Sequence, residues 1–352
     1  MSGGVDSSVA AARVSERGLR AFAVTLAMWP TPAERLRDRG CCSIDAVEDA
    51  RRVATSLGLA HYVWNLEPDF ESTVIRDFED GYASGATPNP CVRCNERIKF
   101  GLLLQRALAA GASHLATGHY ARTGRRGRSA TLHRARDERR DQSYVLHRIG
   151  QEQLRHAVFP VGGVASKAEL RAEAAVRGLL TAAKPESQDL CFVESSMPAE
   201  LERRLAGRFQ PGPVVDQEGR RMGTHRGLPF YTVGQRSRLD IAPTRPDAAP
   251  LYVVELRASD NSIVVGERDA LARQRIEAGE CAWVSDAPTP GTGCTVQLRA
   301  HGAPLPAVVT RATDTELRLD LAEPAAQVSP GQAAVVYRDD EVLGGAVVRA
   351  AA

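Results

Sequence analysis

The first residues of this 352-residue chain have the composition of a phosphate-binding loop. Two adjacent glycines, Gly3 and Gly4, allow the backbone to turn sharply with its amide groups exposed. An alanine-rich helix is predicted over residues 9–14, and the N–H groups of a helix start attract anions. Asp6 could hold a divalent cation against the phosphates. The same residues also fit a simple glycine turn in which Asp6 or a neighbouring serine caps the helix.

Two segments carry cysteines in settings that suit sulfur chemistry. In residues 87–100, two prolines impose an extended lead-in, and a helix is predicted to begin near Asn95. Cys94 would then lie close to a helix N-terminus, beside arginine and lysine residues, a setting that favours the nucleophilic thiolate. In residues 186–192, Cys191 lies near the end of a polar loop. Two such cysteines can release a sulfur atom by forming a disulfide bond.

The cysteine spacing leaves two metal-binding alternatives open. Cys91 and Cys94 have the spacing of a structural zinc half-site, although no matching second half-site follows. Cys91, Cys94 and Cys191 could instead bind an iron–sulfur cluster. The other cysteines are interpreted as packing residues. They are Cys41, Cys42, Cys281 and Cys294.

An arginine-rich segment lies between residues 122 and 140. It contains eight arginines and one histidine but only two acidic residues. Glycines at 124 and 127 predict that part of it is a mobile loop. This charge suits the phosphate backbone of a nucleic acid, whereas the net charge of +2 is too small for a globally cationic binder.

The loop and the cysteine segments resemble known sequence signatures. Ser-Gly-Gly-Val-Asp-Ser at residues 2–7 resembles the PP-loop of ATP pyrophosphatases, which cleave ATP between the α- and β-phosphates. Asn-Pro-x-x-x-Cys-Asn-x-x-Ile-Lys-Phe at 89–100 and Glu-Ser-Gln-Asp-x-Cys-Phe at 186–192 resemble signatures of the tRNA 2-thiouridylases of bacteria and organelles. Further segments occur in that family's order, so the resemblance covers essentially the whole chain. They are residues 116–120, 141–144, 231–236 and 330–332.

This resemblance implies a reaction. ATP, with Mg²⁺, would activate the C2 oxygen of the wobble uridine of tRNA as an adenylate, and sulfur from a cysteine persulfide would replace it. AMP and pyrophosphate would be released. Cys94 would be the nucleophile, and Cys191 would carry the persulfide sulfur. The resemblance also implies lysine, glutamate and glutamine tRNAs as substrates, and an upstream persulfide donor such as a cysteine desulfurase relay.

The resemblance also assigns binding residues. Contacts to ATP are expected at Met1, Ser2, Gly3, Gly4, Val5, Asp6, Ser7, Met28 and Gly118, with Mg²⁺ at Asp6 through the phosphates. Contacts to the target base are expected at Asn89, Pro90 and Cys91, and contacts to tRNA at Arg140, Asp141, Gln142, Arg299 and Ala300. Two positions depart from the family's commonest pattern. Cys91 replaces an aspartate and Ala300 an aromatic residue, so neither a carboxylate base nor a stacking ring is available there.

The elements that must position these residues follow two patterns. In the first half, strand-like runs alternate with helical stretches, which is typical of an α/β domain with a parallel sheet. Strands are predicted at residues 21–26, 61–66 and 113–117, and helices at 45–57 and 98–108. Beyond residue 200, short strand-like runs separated by glycine, proline and aspartate indicate a small β-barrel.

Three domains follow from these patterns and the resemblance. An α/β PP-loop catalytic domain, of the adenine-nucleotide α-hydrolase type, is predicted at residues 1–157 with 180–194. A small, β-rich, tRNA-binding central module is predicted at 158–179 with 195–265. A C-terminal β-barrel is predicted at 266–352.

The composition indicates an ordinary soluble protein, with 43% apolar and 25% charged residues. No run of 18 apolar residues could span a membrane, and the first residues do not resemble a secretory signal, so a cytoplasmic location is predicted. Only Met1 precedes the phosphate loop, whereas PP-loop proteins lead into it with a buried strand. We therefore expect the natural gene product to start several residues upstream with an apolar strand.

Two other classes of function compete with the thiouridylase. Within the PP-loop enzymes, a lysidine synthetase or a 4-thiouridine synthase would share the loop but not both cysteine segments together with the barrel. Outside enzymes, a tRNA- or metal-binding protein with an inactive phosphate loop is possible. The intact Ser-Gly-Gly-Val-Asp-Ser-Ser segment argues against it.

Overall fold

The computed structural model of the chain describes residues 1–28, 44–185, 190–193, 195–237, 239, 249–326 and 328–351. Cys41, Cys42 and residues 186–189 of the second cysteine segment lie outside these ranges. The chain divides into two units. The first is Met1–Ile75, Cys91–Glu194 and Asp340–Val342, and the second is Arg76–Pro90, Ser195–Asp339 and Leu343–Ala352.

Most of the helices are short. The α-helices are α1 (Val5–Ser15), α2 (Ile44–Ser56), α3 (Glu67–Phe70), α4 (Arg76–Ala83), α5 (Pro90–Arg93), α6 (Leu104–Ala109), α7 (Gln151–Leu154), α8 (Lys167–Val176) and α9 (Met197–Arg204). π-Helical stretches at Glu71–Ile75 and Cys94–Leu103 join α3 to α4 and α5 to α6. Single 3₁₀ turns lie at Glu138–Arg140, Ser143–Leu146, Leu228–Phe230 and Arg268–Leu271. None of the helices in the described ranges is long and apolar enough to cross a membrane.

The strands fall mainly in the second half of the chain. Those of the first half are β1 (Phe22–Ala27), β2 (Ala60–Asn65), β3 (Leu115–Ala116), β4 (Ala121–Arg126), β5 (Ser129–Arg134) and β6 (Ala157–Val158). Those of the second half are β7 (Gly212–Val215), β8 (Arg221–His225), β9 (Tyr252–Arg257), β10 (Ser262–Gly266), β11 (Arg273–Trp283), β12 (Gly293–Gln297), β13 (Leu305–Ala312), β14 (Glu316–Ala325), β15 (Ala333–Arg338) and β16 (Glu341–Ala351).

Parallel strands in the first unit confirm the predicted α/β pattern. β1 pairs with β2, with Phe22 opposite Ala60, and β3 pairs separately with β6. Helix α2 buries a face of small residues, including Ala50 and Val53, which are fully buried. It is followed by Gly58, whose φ of +68° fits the predicted C-cap.

Helix α1 is fixed by one apolar face. Val5, Val9 and Ala12 recur at helical spacing and are buried together with Leu170 and Ala174 of α8. Burying a valine side chain contributes about 1.5–3 kcal/mol relative to leaving it exposed. This packing fixes the position of the loop that precedes α1.

The second unit contains the predicted β-rich module and barrel. The module has a four-stranded sheet in the order β8-β7-β10-β9. The barrel has the strand order β11-β14-β13-β12-β15-β16 and is closed by pairing of β11 with β16. Alternate side chains of β14, Leu317, Leu319 and Leu321, are buried in the barrel core. Cys281 and Cys294 pack against this core, which agrees with their interpretation as packing residues.

The helix that carries Cys94 begins earlier than predicted. The sequence prediction places its start near Asn95, whereas α5 begins at Pro90 and continues through Cys94–Leu103 into α6. Proline suits the first position of a helix because its missing N–H would have no partner there. The prediction is wrong because it assigned both prolines to the extended lead-in. Cys94 lies in the second turn of the helix, not at its N-terminus.

The arginine-rich segment contains a β-hairpin where the sequence predicts a mobile loop. β4 and β5 pair along their length, and Arg126 lies opposite Ser129. Gly127 and Arg128 therefore form a two-residue turn, and Gly127 has the positive φ, +61°, that such turns require. Gly124 lies inside β4. The glycines mark a tight turn and a strand position, so the prediction of mobility is wrong.

Candidate functional site

The predicted phosphate loop is a closed turn at the start of α1. The Ser7 hydroxyl accepts a hydrogen bond from the Ser2 amide at 3.1 Å and donates one to the Gly4 carbonyl at 3.0 Å. Gly4 is the N-cap residue, and no side chain in the described ranges caps the helix. The alternative in which Asp6 or a serine caps α1 is therefore wrong. The N–H groups of the first turn are not used by a side-chain cap, which suits binding of an anion.

Two glycines allow other segments to approach this loop closely. Gly3 has a φ of +66°, and a Cβ atom there would overlap the carbonyl of Ala46 in α2. A Cβ atom on Gly118 would lie 2.8 Å from the backbone of Asp6 and of Ser7. Neither position accommodates a side chain. Gly118, one of the predicted ATP contacts, thus touches the loop directly.

Met28 and Gly118 lie just beyond the carboxyl ends of strands of the first unit. Met28 follows β1 and is buried, and Gly118 follows β3. In α/β folds, ligands bind beyond the carboxyl ends of parallel strands. The structure therefore places these two residues where nucleotide contacts are expected. Met1 lies beside the middle of β1, where its amine donates to the carbonyl of Val24.

Replacing Gly118 with alanine is expected to weaken ATP binding. The added methyl group would press on the backbone at the start of α1, and overpacking of this kind costs about 1–3 kcal/mol, which corresponds to roughly a 5- to 150-fold higher Kd for ATP. Titration calorimetry measures the Kd for ATP. Gly163→Ala is the matched control, because its Cβ position has no neighbour within 4 Å and its φ is not positive. Equal ATP affinities for the two variants would contradict this role of Gly118.

Two side chains that the sequence analysis did not connect with the loop hold Asp6. Its Oδ1 atom accepts hydrogen bonds from the Tyr120 hydroxyl at 2.8 Å and from the Lys167 ammonium at 2.6 Å. Lys167 is the first residue of α8, and its ammonium lies 5.6 Å from the centre of the Tyr120 ring. Its side chain is only 12% exposed. The loop has no lysine of its own, and the fold brings one to it from α8.

The surroundings of Asp6 fit a magnesium ion that arrives with ATP. Its Oδ2 atom has no hydrogen-bond partner among the described residues. Mg²⁺ typically binds one or two carboxylates together with substrate phosphates and keeps several waters. Within the described ranges, no three His, Cys, Asp or Glu side chains converge as a metal-binding group. A single carboxylate beside the predicted phosphate loop is compatible with Mg²⁺ at Asp6.

Charged side chains surround the helical turn that contains Cys94. Arg93 is mostly buried, and its Nη1 atom lies 3.2 Å from Oε2 of Glu96. Oε1 of the same carboxylate accepts a hydrogen bond from Arg148 at 2.7 Å. Two guanidinium groups therefore share the carboxylate of Glu96, which follows Cys94 by two residues.

His119 is buried and neutral and lies next to Lys99. Lys99 is on the same helix as Cys94. Burial lowers the pKa of His119 well below its ordinary value, and Lys99 lowers it further. The Lys99 ammonium can only donate, so Nε2 of His119 accepts from it at 3.4 Å. Nδ1 then carries the proton and donates to Thr117 Oγ1 at 2.8 Å. The neutral imidazole of His119 therefore serves as a hydrogen-bond acceptor for Lys99.

Cys191 is anchored through its neighbour Phe192. The Phe192 ring is buried and meets the ring of Phe70 edge-on, with centroids 6.2 Å apart. Helix α3, which carries Phe70, packs against the helical stretch that begins at Cys94. The segments that carry the two predicted sulfur-handling residues therefore both pack against α3 in the first unit. Cys94 is buried, whereas Cys191 is partly exposed.

The predicted tRNA contacts of the first unit differ in exposure and bonding. Arg140 is exposed at the end of a 3₁₀ turn. The Asp141 carboxylate accepts from the Ala135 amide at 2.9 Å, and the Gln142 side-chain carbonyl accepts from the Tyr120 amide at 3.0 Å. Asp141 and Gln142 thus order this segment, and Gln142 helps to hold the tyrosine that bonds to Asp6.

Asn89, Pro90, Arg299 and Ala300 belong to the second unit. Asn89 and Pro90 directly precede Cys91. Arg299 and Ala300 follow β12, and their carbonyls accept hydrogen bonds from the buried Gln297 side chain at 2.9 and 3.0 Å. Gln297, which the sequence analysis does not single out, therefore fixes this turn.

Remote acidic residues partly neutralise the arginine-rich segment. Counting charges along residues 122–140 misses them, because two of the three acids are about 200 positions away. The ion pairs are Arg122–Asp340, Arg126–Glu341 and Arg134–Asp141. Arg125 and Arg128 are exposed and form no ion pair with a residue of the described ranges. Arg136 and Arg139, which follow β5, are likewise exposed without an ion pair to a described residue, so the positive charge available to a nucleic acid lies both at the hairpin tip and beyond β5.

Three family descriptions match successive parts of the chain. Residues 1–195 match the tRNA methyl transferase HUP domain, which agrees with the predicted α/β nucleotide-binding domain. Residues 201–267 match the tRNA methyl transferase PRC-barrel domain. Residues 273–348 match the aminomethyltransferase beta-barrel domain, in agreement with the predicted C-terminal barrel.

Curated relatives extend over nearly the full length. The chain is 48% identical over 349 residues to the tRNA-specific 2-thiouridylase MnmA of Acidothermus cellulolyticus, covering 99% of this chain and 96% of the relative. It is 46% identical over 356 residues to the protein of that name from Beutenbergia cavernae, covering 99% and 93%. For the Kineococcus radiotolerans protein the identity is 47% over 354 residues, covering 99% and 96%. Identity at this level over whole chains shows common descent, and the chain belongs to the tRNA-specific 2-thiouridylase family.

Proposed function

We propose that this chain is an ATP-dependent tRNA-uridine 2-sulfurtransferase, which replaces the C2 oxygen of the wobble uridine with sulfur. The observation that carries the proposal is the combination of a phosphate loop, whose Asp6 binds Lys167, with two cysteine-bearing segments of the same unit that both pack against α3. Its relatives are named for 2-thiouridine formation in tRNA, which supports the choice of substrate.

The first step activates the uridine. The turn at the start of α1 and the Lys167 ammonium would bind the phosphates of ATP, because both present positive charge at the loop. Mg²⁺ held at Asp6 would neutralise phosphate charge. The C2 oxygen attacks the α-phosphorus, and pyrophosphate leaves with the electron pair of the broken bond. The resulting adenylate carries AMP as a good leaving group.

The second step transfers sulfur. Cys191 would carry a persulfide, and the terminal sulfur of this persulfide attacks C2. AMP leaves, and the base is then joined to the protein by a C2–S–S–Cys191 link. The Cys94 thiolate then attacks the Cys191 sulfur, and the electron pair of the broken S–S bond stays on the sulfur attached to C2. The products are 2-thiouridine and a Cys94–Cys191 disulfide. An external thiol must reduce this disulfide before a new persulfide can be loaded.

An iron–sulfur cluster on Cys91, Cys94 and Cys191 is the competing source of sulfur. It needs three cysteine ligands that converge on one point, and the described residues contain no converging group of three such donors. The persulfide route needs only Cys94 and Cys191, and partial exposure of Cys191 suits its loading by a protein donor. We therefore favour the persulfide route, supplied by a donor such as a cysteine desulfurase relay.

Nucleoside mass spectrometry tests the proposed function. Purified protein, ATP, Mg²⁺ and a persulfide-generating sulfur source are incubated with unmodified lysine, glutamate or glutamine tRNA. We expect 2-thiouridine at the wobble position, with AMP and pyrophosphate released in equal amounts. Formation of 4-thiouridine or lysidine would identify one of the competing PP-loop enzymes. Absence of any nucleotide cleavage in the presence of tRNA would support an inactive tRNA-binding protein.

Charge removal at the hairpin tip is expected to weaken tRNA binding. Arg125→Gln combined with Arg128→Gln removes two cations that form no ion pair with the described residues, so phosphate contacts are lost without breaking an internal bond. The slope of log K for tRNA binding against log salt concentration should decrease in magnitude by about 1.5. Arg17→Gln with Arg20→Gln, two exposed arginines near the end of α1, is the matched control. Identical salt dependence of both double variants would argue against a tRNA contact at the hairpin.

A further inference from the structure

A turn of the barrel is bonded to the segment that leads into the Cys94 helix. The amide of Thr87 donates to the carbonyl of Pro330 at 2.8 Å. The side-chain amide of Gln332 donates to the carbonyl of Thr87 at 2.5 Å. Both backbone polar groups of Thr87 are therefore satisfied by the same turn, residues 330–332. All of these residues belong to the second unit.

Gly331 allows the turn to lie directly against this segment. A Cβ atom on Gly331 would lie 2.8 Å from the Thr87 nitrogen and 2.9 Å from the Ala86 Cβ atom. The φ of Gly331 is +87°, a conformation that side chains disfavour. Both requirements select glycine at this position.

The barrel holds the turn rigidly. The Gly331 amide donates to the Val348 carbonyl at 2.9 Å, and the Val348 amide donates to the Gln332 carbonyl at 2.8 Å. Val348 lies in β16 and is buried in the barrel core. The turn therefore continues the hydrogen bonding of the barrel and cannot move independently of it.

Helix α4 contacts both ends of residues 86–88. The Ala86 amide donates to the Gly81 carbonyl at 2.9 Å. A Cβ atom on Gly81 would lie 2.7 Å from the ring of Pro88, so the helix and the proline are in close contact. Residues 86–88 are thus held at both ends by α4 and at Thr87, between them, by the barrel turn.

We propose that the 330–332 turn positions the target-base segment. Asn89, Pro90 and Cys91 follow Pro88 directly and start the helix that carries Cys94. A reacting group must be held to within about half an ångström, and a misplacement of about 1 Å can cost roughly a hundredfold in rate. The barrel would thereby contribute to thiolation by holding this segment. The expected effect on thiolation kinetics rests on the proposed function, whereas the expected effect on hydrogen exchange of the segment does not.

The experiment compares Gln332→Met and Gly331→Ala with Gly291→Ala. Gln332→Met removes only the donor to Thr87, and Gly331→Ala adds a methyl group against it. Gly291 has the same φ of +87° but nothing within 4 Å of its Cβ position, so its variant carries the backbone strain alone. Kinetics with tRNA and with ATP varied, thermal melting, and hydrogen exchange of the peptide spanning residues 84–92 are measured for each.

We expect faster exchange of this peptide in Gln332→Met and Gly331→Ala but not in Gly291→Ala. The kcat/KM for tRNA should fall about tenfold or more, while the KM for ATP should change less than about twofold. Unchanged exchange in both test variants would overturn the positioning role even if the protein proved not to thiolate tRNA. Faster exchange with unchanged kcat/KM in an active enzyme would also overturn it.

Discussion

Replacing either Cys94 or Cys191 with serine is expected to lower 2-thiolation below about one per cent of the wild-type rate, a barrier increase of at least ~2.7 kcal/mol. A serine hydroxyl can neither carry a persulfide nor form the disulfide that releases sulfur to the uridine. Affinity for tRNA should stay nearly unchanged in both variants. Nucleoside mass spectrometry and filter binding measure the two quantities separately. Turnover above one per cent in either variant would remove that cysteine from the mechanism.

Cys294→Ser is the control for nonspecific effects of thiol loss. Cys294 packs against the barrel core, and burial raises the pKa of its thiol to about 11, so it is not a thiolate at neutral pH. Its variant should thiolate at close to the wild-type rate.

The wild-type protein distinguishes the persulfide route from the iron–sulfur route. If a persulfide supplies the sulfur, the protein should thiolate tRNA when it is prepared free of iron. Strict dependence on bound iron would favour the cluster.

The phosphate loop and the cysteine segments are recognisable in the sequence because their signals are local. A glycine pair before a helix can be recognised from about ten consecutive residues, and so can cysteines within short signatures. The partners of Asp6 carry no such signal. Lys167 lies 161 positions away, and Tyr120 lies 114 positions away. Only the packing of α1 against α8 brings the lysine to the loop, so no spacing rule reveals it.

The incorrect predictions have a common cause. Two closely spaced prolines predict an extended segment that includes Pro90, but Pro90 occupies the first turn of a helix. Gly124 and Gly127 predict mobility, whereas Gly124 lies in a paired strand and Gly127 in the tight turn that joins β4 to β5. In each case, tertiary context decided between two conformations that the residue type allows. The predicted domain boundaries and the residues proposed to contact ATP and tRNA stay predictions.

Asp6→Asn is expected to lose most of its Mg²⁺-dependent adenylation while tRNA binding is kept. The substitution removes the negative charge that is proposed to hold Mg²⁺ on the phosphates. Loss of one charge-stabilising group at a reacting phosphate corresponds to about a hundredfold or more in rate, about 2.7 kcal/mol. Pyrophosphate release in the presence of tRNA is the measurement. Unchanged release would refute the role of Asp6.

Loss of activity in Asp6→Asn alone does not identify the metal role, because the same carboxylate also holds Lys167 at 2.6 Å. Lys167→Met breaks that ion pair but leaves the carboxylate in place. If Asp6 binds Mg²⁺, Asp6→Asn should need a much higher Mg²⁺ concentration for half-maximal rate, whereas Lys167→Met should raise the KM for ATP at an unchanged Mg²⁺ requirement. If Asp6 serves only to orient Lys167, both variants should show the same kinetic defect, and the double variant should be no worse than either. Tyr120→Phe removes one hydrogen bond from the same oxygen and should have the smallest effect, about tenfold or less.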